Sequence, residues 1–209
     1  MQSELLPLFP LSVVLFPRVQ LPLHIFEDRY KDMIGQAIQA KTEFGLVLSS
    51  EKGVAGTGCT AIVEKVIHRY PDGRLDIVAI GLRRFEILDL NTEKIFLQGS
   101  VTYFNDEETT GAASDARESA VASYQELRHF LADEPGAEPE WSDPQLSFQL
   151  AQLIPDLEFR QQLLVSRSEA ERIEMLAAFL PTHIDQQRHV LHMKTVAPTN
   201  GHGPSSIVS

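Results

Sequence analysis

The sequence has little cysteine and no surplus of basic residues, and each shortage excludes a class of protein. Cys59 is the only cysteine among 209 residues, which excludes an intramolecular disulfide and any zinc site built on several thiolates. The chain carries 18 Lys and Arg against 29 Asp and Glu, a formal net charge of -11. This charge disfavours nucleic-acid and anionic-membrane surfaces, because binding to phosphates depends on cations.

Two further motifs are missing. No phosphate-binding loop of the form G-x-x-x-x-G-K-[ST] is present, because Gly53 to Gly58 is followed by Cys59 and Thr60 and not by lysine. The apolar N-terminus has no basic leader and is interrupted by Glu4 and several prolines, so neither a signal peptide nor a membrane span is predicted. Together with the single cysteine, this pattern predicts a soluble, cytoplasmic protein.

The region around Pro71-Asp72-Gly73-Arg74 predicts a long hairpin. Before it, residues 57–67 are rich in β-branched side chains, and after it Leu75, Ile77 and Ala79 recur with a period of two. Proline presets the turn, aspartate can hydrogen-bond its own backbone, and glycine accepts the left-handed conformation. Gly81 then interrupts the strand pattern, as is typical of a bulge or bend in a small barrel.

The rest of the first half is predicted to be mostly β structure with one helix. Residues 5–26 are rich in Leu, Val, Phe and Pro, which favours short strands at edges or rims. Residues 27–41 have helical spacing, while residues 44–49 and 95–104 return to strand patterns. The first half is therefore predicted to be a barrel with one packed helix.

The second half is predicted to be helical and carries most of the acidity. After a polar stretch at residues 105–114, helical patterns cover residues 120–131, 143–154, 157–165 and 168–180. Asp143 is predicted to cap the second of these helices, and Pro181 to start a further one. We expect a β-rich subdomain at 1–108, a helical subdomain at 112–194 and a flexible tail at 195–209.

Three separated motifs resemble the N-terminal substrate-binding domain of the Lon ATP-dependent protease, and most closely stand-alone bacterial proteins built from that domain. They are the hairpin, Leu6-Pro7-Leu8-Phe9-Pro10-Leu11, and Pro22-Leu23-His24-Ile25-Phe26-Glu27-Asp28-Arg29-Tyr30. The helical half also matches in order, so the resemblance covers about residues 4–193. One departure is Asp28, where relatives often carry proline; either residue can begin a helix.

The resemblance implies an α+β fold, with a PUA-like β pseudo-barrel followed by a C-terminal helical bundle. It also implies binding of polypeptide without catalysis, as a substrate-recognition or adaptor component in proteolysis. Accordingly we predict no enzyme activity, no cofactor, no metal and no catalytic residue, and the partner-binding residues stay unknown. Two alternatives are open: an RNA-binding PUA-like module, which the net charge opposes, and a small enzyme of unknown chemistry.

Several side chains are candidates for a site, each with a structural interpretation that we prefer. Cys59 could act with His24 or His68 as a nucleophile, but a lone cysteine in a strand is usually a buried apolar residue. His183, His189 and His192 could bind a metal, but no carboxylate or cysteine completes the set. Glu27, Arg29, Tyr30, Arg83 and Arg84 belong to the family motifs, and the arginines are predicted to pair with carboxylates.

Overall fold

We describe the protein from a computed structural model, which defines residues 5–107, 114–131 and 138–196. By their internal contacts the residues form two compact units. The first contains residues 1–109 and 139–169, and the second contains residues 110–138 and 170–209. This grouping places residues 139–169 with the sheet, whereas the predicted division assigned them to the helical subdomain; the domain boundaries stay a prediction.

Up to residue 107, the described part of the first unit forms six strands and one packed helix. In chain order they are β1 (Leu6–Leu11), β2 (Gln20–Ile25), α1 (Asp28–Ala40), β3 (Phe44–Ser50), β4 (Gly53–Arg69), β5 (Leu75–Asn91) and β6 (Gln98–Phe104). The strand order is β2-β5-β4-β3-β1-β6, and β6 also pairs with β5. Five strands therefore close into a barrel, while β2 lies outside it against the first part of β5. This is the predicted α+β fold with a PUA-like pseudo-barrel.

The helical segments follow the sheet in the chain. They are α2 (Ser114–Phe130), α3 (Leu146–Leu150), a single 3-10 turn (Ala151–Leu153), α4 (Leu157–Val165) and α5 (Glu169–Val196). In the second unit Arg188 of α5 donates to the Glu126 carboxylate of α2. None of the helices in the described ranges is both long and apolar enough to cross a membrane.

The predicted hairpin is confirmed as the longest pair of strands, β4 and β5. Its turn is closed by a hydrogen bond from the Gly73 amide to the Tyr70 carbonyl, and Gly73 has a φ of 86°. Leu75, Ile77 and Ala79 are all buried, as their period of two predicted. Because β5 pairs with β2 up to Ile80 and with β6 from Arg84, the strand changes partner across a bulge that begins at Gly81.

The ring of Phe85 occupies the barrel core, with Leu6, Leu8 and Val47 around it. Two glycines make room for it, because a Cβ atom at Gly45 or Gly58 would lie 2.7 or 2.6 Å from the Phe85 Cζ atom. These distances are shorter than any ordinary carbon contact. Glycine at both positions is therefore a packing requirement and not only a matter of turn geometry.

Two details of the helical predictions were wrong. Asp143 does not cap α3, which begins at Leu146; its carboxylate accepts the Gln145 amide at 2.7 Å and pairs with Arg18. Pro181 does not start a new helix, because α5 continues through it. Proline has backbone angles compatible with a helix and loses one hydrogen bond, so surrounding packing decides whether the helix ends there.

The contact between Phe85 and the glycines generates a stability prediction with a control in the same strand. We expect Gly58→Ala to lower the free energy of unfolding by about 1–3 kcal/mol or more, because its Cβ would also lie 2.4 Å from the Leu46 carbonyl oxygen. Gly56→Ala meets no atom within 4 Å and should change it by less than about 0.5 kcal/mol. Urea denaturation of both variants measures the difference; equal losses would show that Gly58 is not a packing site.

Candidate functional site

Cys59 lies in the barrel wall and is inaccessible. Its exposed fraction is 0%, and its strand neighbours are Leu46 and Arg84. Burial raises the pKa of the Cys59 thiol to about 12, so the reactive thiolate is scarce at neutral pH. His68 lies nine positions along the same strand, on the order of 25 Å away. Cys59 and the two histidines proposed as its partners are therefore not brought together.

Arg84 is buried in a network of hydrogen bonds within the first unit. Its guanidinium lies 2.6 Å from the Asp106 carboxylate, donates at 3.2 Å to the Leu164 carbonyl, and also donates to the Ser166 carbonyl. These carbonyls belong to the C-terminal end of α4, where the helix dipole favours a cation. With 2% of its surface exposed, Arg84 joins β5 to α4 and to the segment after β6.

The other arginines of the family motifs lie at the surface. Arg83 makes two hydrogen bonds to the Glu43 carboxylate, and its guanidinium stacks 3.9 Å from the Tyr103 ring centre. Arg29 pairs with Glu27 at 2.8 Å and covers the ring of Tyr30. Tyr30 is buried against Phe9, which anchors the start of α1 to the barrel. These contacts account for all four motif residues through packing and charge pairing.

The three histidines near the end of the chain lie on α5. His183 is buried and stacks on Phe179 with ring centres 5.4 Å apart. His189 and His192 are exposed. Within the described ranges no three His, Cys, Asp or Glu side chains are close enough together to hold a metal ion.

A row of four rings, of which Tyr70 is half-buried and the other three are exposed, lies at the outer end of the long hairpin. His24 lies in β2 and Phe26 directly follows it, while His68 lies in β4 and Tyr70 directly follows that strand. We call these four ring residues, together with Asp76 of β5, the hairpin-end cluster. Ring centres are separated by 5.9 Å between Phe26 and His24, by 5.8 Å between His24 and Tyr70, and by 4.4 Å between Tyr70 and His68. Phe26 is 60% exposed, which is unusual for a large apolar side chain.

Asp76 fixes the geometry of this row. It lies between His24 and His68 in the strand register, with His24 Nδ1 at 2.6 Å from one carboxylate oxygen and the Tyr70 hydroxyl donating to the other at 2.8 Å. These hydrogen bonds hold the pKa of the Asp76 carboxyl below its usual value and raise the pKa of the Tyr70 hydroxyl. Two rings are thus oriented before any ligand arrives, which reduces the entropy cost of binding.

The cations beside the hairpin-end cluster are mostly neutralised. Arg74 stacks on Tyr70 and bonds the Asp72 carboxylate at 2.7 Å, and Lys31 pairs with Asp28 at 2.7 Å. Arg29 is held by Glu27. Arg69, between His68 and Tyr70 in the chain, is exposed and has no carboxylate partner among the described residues. The surface is therefore aromatic with one unpaired cation, which suits contact with apolar and aromatic side chains better than contact with several phosphates.

The sequence predicted His24 and His68 as possible partners of Cys59 and did not group them with Phe26, Tyr70 and Asp76. The sequence does contain one signal for this cluster. Residues with ring side chains occur two positions apart in two places, at 24 and 26 and at 68 and 70. Such spacing puts both members of a pair on one face of a strand. Their convergence on Asp76 depends on the register between three strands.

The fold defines the class of protein: a PUA-like β barrel with helices following it in the chain. Residues 5–197 match the family model of the ATP-dependent protease La (LON) substrate-binding domain, so the chain belongs to this family. The curated relatives include the Lon protease of Parabacteroides distasonis, 30% identical over 113 residues, and the Lon protease of Roseiflexus castenholzii, 28% identical over 133 residues. These matches cover 50% and 59% of this chain but only 14% and 16% of the relatives.

Two solved structures share the fold. A crystal structure of a Lon N-terminal domain protein from Xanthomonas campestris has a TM-score of 0.67 and 26% sequence identity, and the match covers 85% of this chain and 99% of that chain. The N terminal domain of the Mycobacterium avium complex Lon protease has a TM-score of 0.62 at 17% identity, over 86% and 100% of the two chains. The second likeness, at its low identity, concerns the fold alone.

The neighbouring arginines Arg84 and Arg83 provide a matched test of burial. Arg84→Ala removes the buried cation that pairs with the Asp106 carboxylate and donates to two carbonyls, so the free energy of unfolding should fall by about 3–5 kcal/mol. Arg83→Ala removes an exposed pair and should cost about 0–1 kcal/mol. Chemical denaturation followed by circular dichroism measures both. A similar small loss in the two variants would contradict the structural role of Arg84.

The burial of Cys59 predicts slow thiol chemistry in the folded state. Because its pKa is about 12 instead of 9.0, the thiolate fraction at pH 8 and the alkylation rate should fall on the order of a thousandfold. Iodoacetamide labelling followed by mass spectrometry measures this rate, with the guanidinium-denatured protein as the control. Rapid, stoichiometric labelling of the native protein would restore Cys59 as a candidate nucleophile.

Proposed function

We propose that this chain is a non-enzymatic polypeptide-binding domain that contacts extended, unfolded segments through the hairpin-end cluster. The observation that carries the proposal is the row of four rings at the outer end of the hairpin, three of them exposed and two of them hydrogen-bonded to Asp76. Membership of a substrate-binding domain family supports the kind of ligand. The proposal includes a role in proteolysis, in which the domain delivers or presents clients to a protease, and a cytoplasmic location.

Aromatic rings suit a binding surface for varied polypeptides. They supply large contact areas with few rotatable bonds, and their faces accept aliphatic, aromatic and peptide groups alike. Because two of the four rings are hydrogen-bonded to Asp76, little ordering is required when a segment binds. A ligand with exposed apolar and aromatic side chains is therefore favoured over a folded protein that has buried them.

The two alternatives receive less support. Ring faces can also stack on the bases of single-stranded RNA, but that mode needs several cations for the phosphates. Arg29, Lys31 and Arg74 are each paired with a carboxylate, which leaves Arg69 as the unpaired cation beside the rings among the described residues. For an enzyme, the nucleophile considered from the sequence, Cys59, is buried and protonated. Polypeptide binding is thus the function that the observations favour.

Binding of an unfolded chain tests this proposal. Reduced, carboxymethylated α-lactalbumin carrying a dye should bind the protein in fluorescence anisotropy, while the native form should bind more weakly. The double variant Phe26→Ala with His68→Ala removes the two rings that are not hydrogen-bonded to Asp76, and we expect its Kd to rise about tenfold or more. Tyr70 and Asp76 are kept so that the hairpin retains its hydrogen bonds.

Ile95→Ala serves as the matched control, because Ile95 is 64% exposed and lies outside the hairpin-end cluster, between β5 and β6. It should bind the unfolded chain as the wild type does. The proposal fails if the wild type captures no unfolded polypeptide, or if Ile95→Ala and the double variant lose the same affinity. A salt-sensitive shift with single-stranded RNA that the double variant abolishes would instead favour the nucleic-acid alternative.

A further inference from the structure

The outer half of β4 is paired on one side only. β3 pairs with β4 as far as Ala61, and beyond this point residues 62–69 are paired with β5 alone among the residues that the structure describes. In an antiparallel strand alternate N–H and C=O groups point away from the neighbour. No described residue forms a hydrogen bond to those outward groups. Such a row of open donors and acceptors can pair with one more strand.

A groove runs beside this open edge. Its walls are the C-terminal end of α1, with Ala37, Ile38, Lys41 and Thr42, and residues 62–66 of β4. Its volume is about 320 Å³, at the lower end of the range for ligand pockets. Ile38, Ile62 and Val66 are half-buried, so apolar surface is available where the side chains of an added strand would point.

The charge around the groove points to the chemistry of its ligand. Most cations of the first unit are ion-paired, but Lys41, Lys65 and Arg69 have no carboxylate partner among the described residues. All three are exposed and lie on this half of β4 or at the facing end of α1. Glu64 also lies on the groove wall, where it accepts from the neutral Gln20 amide, so three cations face one carboxylate in a chain with a net charge of -11.

The irregularities of β4 restrict what can pair with it. Register shifts occur between Val63 and Lys65 and again between Val66 and His68. Bulges and edge lysines discourage open-ended association between exposed strands. The first shift leaves Glu64 as an extra residue inside residues 62–66, so an added strand must follow a bulge there. The edge therefore favours a short strand of about five residues whose charge complements the lysines.

We propose that residues 62–66 of β4 bind a short, extended, acidic segment of a partner protein as an added strand. Main-chain hydrogen bonds to the open edge supply affinity, alternate apolar side chains enter the groove, and carboxylates face Lys41 and Lys65. Adding a strand at a free sheet edge is a recurrent mode of peptide recognition. This site is separate from the hairpin-end cluster and does not depend on the function proposed for it.

A short peptide in which valine alternates with glutamate, blocked at both ends and carrying a dye, is the probe for this edge. We expect it to bind the full chain in fluorescence anisotropy and to slow amide hydrogen exchange at residues 62–66. The same peptide with alternate amides N-methylated keeps the side chains but cannot form a strand, and its binding should be lost. A peptide with lysine in place of glutamate should also fail to bind.

Lys65→Glu reverses the charge beside the groove and should weaken binding of the acidic peptide at least about tenfold. Lys94→Glu is the matched control, because Lys94 is also exposed and without a carboxylate partner but lies between β5 and β6. It gives the protein the same net charge and should bind the peptide as the wild type does. Circular dichroism of both variants verifies that they fold.

Four results would overturn the proposal: equal binding of the N-methylated peptide, equal effects of Lys65→Glu and Lys94→Glu, exchange protection outside residues 62–66, or no binding of the acidic peptide. A second copy of this chain could also pair with the open edge of β4, and sedimentation velocity tests for such dimers. Concentration-dependent dimers that Lys65→Glu abolishes would assign the edge to self-association and likewise overturn the proposal.

Discussion

The guanidinium of Arg84 is a charged group without access to water, and the segments around it are arranged to supply its hydrogen bonds. Asp106 after β6 neutralises the charge and accepts from Nη2, and the Leu164 and Ser166 carbonyls at the end of α4 accept from Nη1. The rings of Phe104 and Phe148 lie 4.7 and 5.4 Å from its central carbon. Since an unpaired buried cation costs several kcal/mol, these segments must be assembled together for the first unit to be stable.

Arg167 extends this arrangement toward the surface. It bonds the carboxylates of Glu86 and Glu107 and stacks 4.5 Å from Phe104, so that one ring is contacted by two guanidinium groups. Phe148 of α3, which also lies beside Arg84, stacks on Phe16, and Arg160 of α4 donates to the Val14 carbonyl. Aromatic and arginine contacts therefore attach the short helices α3 and α4 to the barrel, and these helices belong to the same compact unit as the sheet.

Local chemistry made part of this fold predictable from the sequence. Pro71, Asp72 and Gly73 define a turn whatever surrounds them, and the period of two after the turn identifies a buried face. Long-range contacts were not predictable in this way: Asp143 resembles a helix cap until Arg18, 125 positions away in the chain, is seen to pair with it. Pro181 was misread because the continuation of a helix depends on packing. The hairpin-end cluster depends on register, since only pairing brings His24 and His68 to either side of Asp76.

The change of partner along β5 has a consequence for how this family can diverge. From Arg84 onward the strand closes the barrel, where Phe85 leaves no room for a side chain at Gly45 or Gly58. Before Gly81 the same strand buries Leu75, Ile77 and Ala79 on one face and carries half-buried side chains such as Asp76 on the other. Packing therefore constrains alternate positions of the outer half. Recognition can drift on the other face of that half while the barrel and the buried face stay constrained, within a single element of secondary structure.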